Sequence, residues 1–201
     1  ETPWEDPIIW RGDRRRAIRR GELLFEKGDP SEHLFGVISG QLKVFSAPAP
    51  GRQVALELVA PGELVGDLGI EDGGPRHASV VALAHSELAA IARRDLDELL
   101  RRQPALHVAL HRAGASRARR LAERAEDVAF LSIEARIEKA LDDLAARCGE
   151  AVARGTRIRV RQQDLAEVLG ISRESVSRAL GSPALRARVQ IGRGHIVLLR
   201  A

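Results

Sequence analysis

The stretch "QQDLAEVLGISRESVSRAL", Gln162–Leu180, decides how the C-terminal part of the chain folds. Leu165 and Leu169 lie on one helical face, four residues apart. Ala166 is small, as a close helix crossing requires. Gly170 follows where a tight turn calls for a positive φ. Ser172 is a natural N-cap for a second helix, although Ser172-x-x-Ser175 lacks the glutamate of a full capping box. Ile171 and Val176 then pack back from that second helix. Ala166, Gly170 and Val176, at relative positions 0, +4 and +10, form the skeleton of a helix-turn-helix. With the second helix starting at Ser172, the side chains of Arg173, Glu174, Ser177 and Arg178 project outward from its N-terminal half. Base contacts belong there, since a forked guanidinium matches guanine and a carboxylate accepts from cytosine. The plain alternative is a solvated helix braced by the i,i+4 pair Glu174–Arg178, worth about 0.2–0.5 kcal/mol.

Charge supports the first reading. From Ala153 to Ala201 there are ten arginines, no lysine and three acids (Asp164, Glu167, Glu174). That segment is +7 against +4 for the whole chain, so the remainder carries −3. A basic segment beside a slightly acidic one suggests a polyanion partner for one part of the molecule. Downstream, Gly181–Ser182–Pro183 should end the second helix near Leu180, because proline does not fit a helix interior. "VQIGRGHIVLLR" reads as a β-hairpin with Gly192–Arg193–Gly194 at its tip. It is either a wing whose Arg193 and His195 touch phosphate or a purely structural hairpin.

Upstream, "RGTRIRV" reads as a short strand. "FLSIEARIEKALDDLAARCG" reads as an amphipathic helix with Phe130, Ile133, Ile137, Leu141 and Leu144 on its apolar face and Gly149 as its stop. Residues 95–147 are expected to be helical, with Pro104 at an N-terminal position. A 4-3 spacing runs through His107, His111, Gly114, Ala118, Leu121, Ala125 and Val128, beside a second flank of Leu106, Leu110 and Ala113. One stripe suits the neighbouring β domain and the other a partner helix, although an ordinary surface helix stays open. Residues 21–92 carry short apolar runs punctuated by glycines, the pattern of an all-β sandwich or jelly roll.

Composition narrows the function classes. The chain has 201 residues, 44% hydrophobic and 30% charged, which suits one large or two small soluble domains. Aromatic residues make up 3%, too few for a stacking platform on single strands. No apolar run reaches the roughly 18 residues of a membrane span, and no secretory pattern opens the chain. The chain begins at Glu1 and contains no Met, so N-terminal residues are expected to be missing. Cys148, the single cysteine, cannot form an internal disulfide or alone hold a zinc or iron–sulfur site. It reads as a core filler in a reducing cytoplasm. No P-loop, nucleophile–base pair or metal-ligand cluster points to an enzyme.

These pieces together resemble the Crp–Fnr family of bacterial transcription regulators, over nearly the whole length. The resemblance rests on the glycine-punctuated β segment, "GDLGIEDGGPRHASVVA", the long helix ending "EDVAFLSIEARI", and "LGISRESVSRAL". It implies an α+β chain. Residues 1–103 would be a double-stranded β-helix (jelly-roll) sensor domain resembling cyclic-nucleotide-binding domains. Residues 104–130 would be a dimerisation helix, and residues 131–201 a winged helix-turn-helix. Arg173, Glu174 and Arg178 match the family's R-E-x-x-x-R reading set, which implies a GTGA half-site. Gln163 matches a phosphate-contacting position. The implied partners are double-stranded DNA as a palindromic operator, a second copy of the chain, and RNA polymerase, with no membrane.

The family's phosphate cassette corresponds to Gly66–Asp67–Leu68, a loop, then Arg76–His77–Ala78. Arg76 would pair with a cyclic phosphate. Asp67 stands where a glutamate usually holds the ribose hydroxyl, and His77 where a small hydroxyl residue donates. On the long helix Leu121 and Ala122 occupy positions that often face adenine, and neither can hydrogen-bond. Three alternatives stay open: cyclic AMP or cyclic GMP, another small ligand, or no ligand with Arg76 bracing its own loop. A nucleotide-binding module that regulates a partner protein is the competing function.

Overall fold

The computed structural model describes residues 15–49, 52–102 and 104–200. Strands β1 (Arg15–Ile18), β2 (Leu23–Phe25), β3 (His33–Ser39), β4 (Leu42–Ala49), β5 (Arg52–Val59) and β6 (Leu64–Val65) precede a single turn of helix, α1 (Leu68–Glu71). Strands β7 (Ser79–Ala82) and β8 (Ser86–Ala92) complete the β region. The strands form two four-stranded sheets, ordered β1-β8-β3-β6 and β2-β7-β4-β5. The recorded pairings in both are antiparallel. Alternation along β7, with Val80 and Ala82 buried and Ser79 and Val81 only partly so, shows one face turned to the core. This is the β-rich architecture expected from the glycine-spaced apolar runs.

Helices α2 (Arg93–Arg102) and α3 (Ala105–Phe130) follow directly. Leu106, Ala109 and Leu110 on the first turns of α3 pack with Leu34, Leu64, Ile70, Ile91 and Leu96 in one cluster. Of the two stripes, the flank of Leu106 and Leu110 is thus the one on the β region, with Ala109 added, while Ala113 is only partly buried. The 4-3 stripe is different: His107, His111 and Ala118 are exposed, Leu121 is 49% exposed and Val128 61%.

The helical region departs from the sequence expectation in two places. It begins at Arg93 rather than residue 95, and it breaks between α3 and α4 (Ile133–Cys148). Phe130 and Ile133 are not on one buried face: Phe130 ends α3 at 84% exposure, and Ile133 is 37% exposed. The cause is Ser132, whose hydroxyl accepts from the Ala135 N–H at 3.2 Å and starts a new helix. Only Ile137, Leu141 and Leu144 of the expected face are buried. Gly149 stops α4 as expected, but in extended rather than left-handed backbone.

The C-terminal elements are β9 (Glu150–Val152), β10 (Gly155–Ile158), α5 (Gln162–Leu169), α6 (Arg173–Leu180), α7 (Pro183–Arg188), β11 (Val189–Gly192) and β12 (His195–Leu199). The strands form a third antiparallel sheet, β11-β12-β10-β9. Pro183 ends one helix and starts another, since its missing N–H costs nothing at a first helical position. The chain divides into two compact units. One holds most of the β region and α3 through Ala122, and the other holds Glu123–Ala201 with Ala47–Glu57.

Candidate nucleic-acid interface and effector site

The interface is built on α5 and α6. Leu165, Ala166, Val176, Ala179 and Leu180 are at most 3% exposed and lock the two helices together. Gly170 sits at φ 64°, ψ 33° and donates its N–H to the Ala166 and Glu167 carbonyls, closing α5. The Ser172 hydroxyl accepts from the Ser175 N–H at 3.0 Å and starts α6. These two local devices aim the first turns of α6 outward, so Arg173, Glu174, Ser177 and Arg178 are all exposed. Hydrogen bonds from its own backbone N–H and from Ser172, with Arg173 nearby, hold the Glu174 carboxyl below the usual range. It is therefore an anionic acceptor at neutral pH, on the same helix as the donors Arg173 and Arg178.

Gln163 is exposed on α5 and donates to Glu167 at 3.0 Å. Strands β11 and β12 form the expected hairpin, with exposed Arg193 and Gly194 (φ 81°) at its tip. Between the hairpin and the two helix starts lies a cleft of about 470 Å³ lined by Arg161, Gln163, Arg173, Ile191 and His195, among others. Arg161 escaped the motif reading because its role depends on folding. Its Nε and Nη2 donate to Asp164 at 2.8 Å each. Asp164, 1% exposed, also accepts the Arg161 backbone N–H at 3.2 Å. A basic residue three before an acid at a helix start was the available signal.

The second candidate site is the loop from Gly66 to Ala78. Arg76 is 5% exposed and lies 4.1 Å from the centre of the Phe25 ring. Its guanidinium donates to the Gly66 carbonyl at 2.7 Å and the His33 carbonyl at 2.6 Å, while Nε is buried without a partner. Burial lowers its pKa, against the pull of Asp29, Asp67 and Glu32. Gly66, at φ 86°, is needed here: a Cβ would stand 2.4 Å from Arg76 Nη1.

Asp67, 4% exposed, takes a two-pronged contact from Arg117 of α3, at 3.0 and 2.9 Å. That partner lies fifty residues away in sequence, and the motif reading missed it. Ala78 is buried in the core, His77 is exposed and Leu68 is 37% exposed. Surface-facing as it is, the His77 imidazole is partly desolvated by the protein around it, which, aided by Arg117, lowers its pKa. Leu121 lies one turn beyond Arg117 on α3.

The structure thus brings Gly66, Arg76, Asp67 and Arg117 together and leaves Leu68 and His77 at the surface. The orphaned Arg76 Nε and the Asp67 carboxylate are donor and acceptor types that fit the phosphate and ribose of a cyclic nucleotide. Leu121 offers its base no hydrogen bond. Among the described residues no group of three His, Cys, Asp or Glu side chains could hold a metal. No helix among them is long and apolar enough to cross a membrane.

Residues 15–103 match the cyclic nucleotide-binding domain family, and residues 135–201 match the Crp-like helix-turn-helix domain family. The chain is 34% identical over 187 residues to the cyclic AMP receptor protein of Thermus thermophilus, covering 93% of this chain and 84% of that protein. It is 30% identical over 182 residues to the CRP-like cAMP-activated global transcriptional regulator of Mycobacterium tuberculosis, covering 90% and 81%. Among solved structures it is similar to the c-di-GMP responsive global regulator CLP of Xanthomonas campestris. That match has a TM-score of 0.77 at 27% identity and covers 93% of this chain and 94% of that one.

Proposed function

Since the chain belongs to the Crp–Fnr family of DNA-binding transcription regulators, we propose that it acts as a homodimer on a palindromic operator. One observation carries the reading: Arg173, Glu174, Ser177 and Arg178 stand exposed together at the start of α6, aimed by Ser172 and Gly170. Arg173 and Arg178 bind guanines of a GTGA half-site and Glu174 accepts from cytosine. Gln163, Ser172, Ser177 and Arg193 contact the sugar–phosphate backbone. The exposed stripe His107–Val128 on α3 supports pairing with a second copy, which sets two recognition helices about 34 Å apart. RNA polymerase is the downstream partner and the cytoplasm the compartment.

A cyclic nucleotide, cyclic AMP first, is the effector of the β-rich unit. Arg76 holds its phosphate and Asp67 its ribose, with the cassette backbone from Gly66 to Ala78 around them. The ligand would supply a singly charged phosphodiester whose oxygens accept from Arg76 in place of the two carbonyls it now meets. It shifts the population of two arrangements by its differential affinity for them.

The test is an anisotropy titration of a labelled GTGA palindrome against a scrambled duplex at one salt concentration. It is run without ligand, with cyclic AMP and with cyclic GMP. The expected result is operator preference that strengthens with cyclic AMP. Preference without any ligand effect would remove the effector and keep the DNA reading. No preference in any condition would refute the assignment of Arg173, Glu174 and Arg178. Arg178→Ala should cost about 1–3 kcal/mol on the operator and relax one base pair. An equal loss on scrambled DNA would make Arg178 a phosphate contact only.

A further inference from the structure

We infer that the cleft between the starts of α5 and α6 and the β11–β12 hairpin seats one backbone phosphate of the bound duplex, with Arg161 its main donor and Asp164 the residue that positions Arg161. The inference rests on the DNA-binding reading and adds a contact that the recognition motif does not contain. Arg161 and Arg173 line the cleft from the helix side, and His195 lines it from the hairpin. A phosphodiester with its sugar fits such a volume. Ile191, 49% exposed, supplies an apolar wall for the sugar.

The chemistry of Arg161 favours a phosphate over a base edge. The residue precedes α5 and lies outside the recognition helix, where base contacts concentrate. Asp164 occupies Nε and one Nη2 hydrogen, leaving both Nη1 hydrogens and the other Nη2 hydrogen for a second acceptor. A guanidinium can bridge a buried carboxylate and a phosphate in this way without breaking either contact. The side chain is 49% exposed, whereas its carboxylate partner is 2% exposed. The fork is therefore fixed at one end and open at the other. Holding it still before DNA arrives removes part of the ordering cost of binding. Asp164 also raises the Arg161 pKa, so the charge is permanent.

The experiment uses the full chain on the operator and scrambled duplexes across a salt series. Arg161→Gln should weaken both duplexes by a similar factor, roughly three- to tenfold, and reduce the salt slope by about one. Arg161→Lys should keep the slope and recover part of the affinity. A scan that replaces single phosphates with neutral methylphosphonates should find one position that weakens the wild type yet weakens Arg161→Gln no further. Asp164→Asn should lose most of that coupling while retaining the arginine, provided its circular dichroism matches the wild type. Unchanged affinity and slope in Arg161→Gln would overturn the inference. So would methylphosphonate losses that add to the substitution at every position. If the wild type does not distinguish the duplexes, the base-reading assignment fails, but the scrambled duplex still decides the phosphate seat.

Discussion

Breaking the contact between Asp67 and Arg117 provides a direct test of the proposed effector site. Asp67 is 4% exposed, and the side chain of Arg117 is 17% exposed. Arg117→Met keeps the apolar stem and strands the buried carboxylate. Removing one partner of a buried pair costs roughly 3–5 kcal/mol. The lower end applies here, because part of the guanidinium still meets water. Asp67→Ala leaves that partly hydrated guanidinium with the Leu64 carbonyl at 3.5 Å, which predicts a smaller loss of about 1–2 kcal/mol. The double variant leaves no stranded charge and should also lose about 1–2 kcal/mol. The coupling in the cycle is then about 2–3 kcal/mol. Urea unfolding followed by far-ultraviolet circular dichroism measures all four proteins. Losses that simply add would show that the contact carries no energy and that Asp67 is free to serve a ligand. Cyclic AMP should stabilise the wild type and not Asp67→Ala.

Three further outcomes are expected. Gly170→Ala meets open space but must hold φ near 64°, so urea unfolding should show a loss of about 1–2 kcal/mol. A loss well above that would mean a steric clash instead. Leu106→Ala, at a side chain 1% exposed, should cost about 2–5 kcal/mol in the same assay. His77 titrates lower in the folded state than in the unfolded one, chiefly through partial desolvation of its ring and then through Arg117. The unfolded chain therefore binds the extra proton, and this stability contribution is complete above about pH 6.5 and falls as pH drops below it. Thermal melts from pH 7.5 to 5 should show a slope that His77→Gln reduces, and an unchanged slope would refute the assignment.

The helix-turn-helix was legible because its determinants are local. Gly170 and Ser172 act within a few residues, and Ala166 and Val176 need only helical periodicity to meet. The hairpin and the stop at Leu180 were legible for the same reason. The break at Ser132 was not, since Phe130, Ile133 and Ile137 fit one helical stripe and a capping serine is easily read as part of a helix. The new helix at Pro183 was hidden because proline was read only as a stop. The loop from Gly66 to Ala78 was the least legible. Arg76 matches its motif, yet its carbonyl partners come from Gly66 and from His33 on another strand. Asp67 finds Arg117 through tertiary packing that no local pattern records.

The shortness of α6 has a consequence for how much information one subunit can extract from a genome. Eight residues at 1.5 Å each give a rod of about 12 Å, which matches the width of the major groove. Such a rod spans roughly four stacked base pairs. A fixed word of about four letters recurs by chance roughly once in 256 positions, far too often among about 10⁶–10⁹ competing sites. In the proposed homodimer, two copies reading together would square that rarity, to about one in 65,000. On that proposal, the abrupt stop before Pro183 makes address-finding a property of the pair, and of the spacing between its words, more than of either reading head alone.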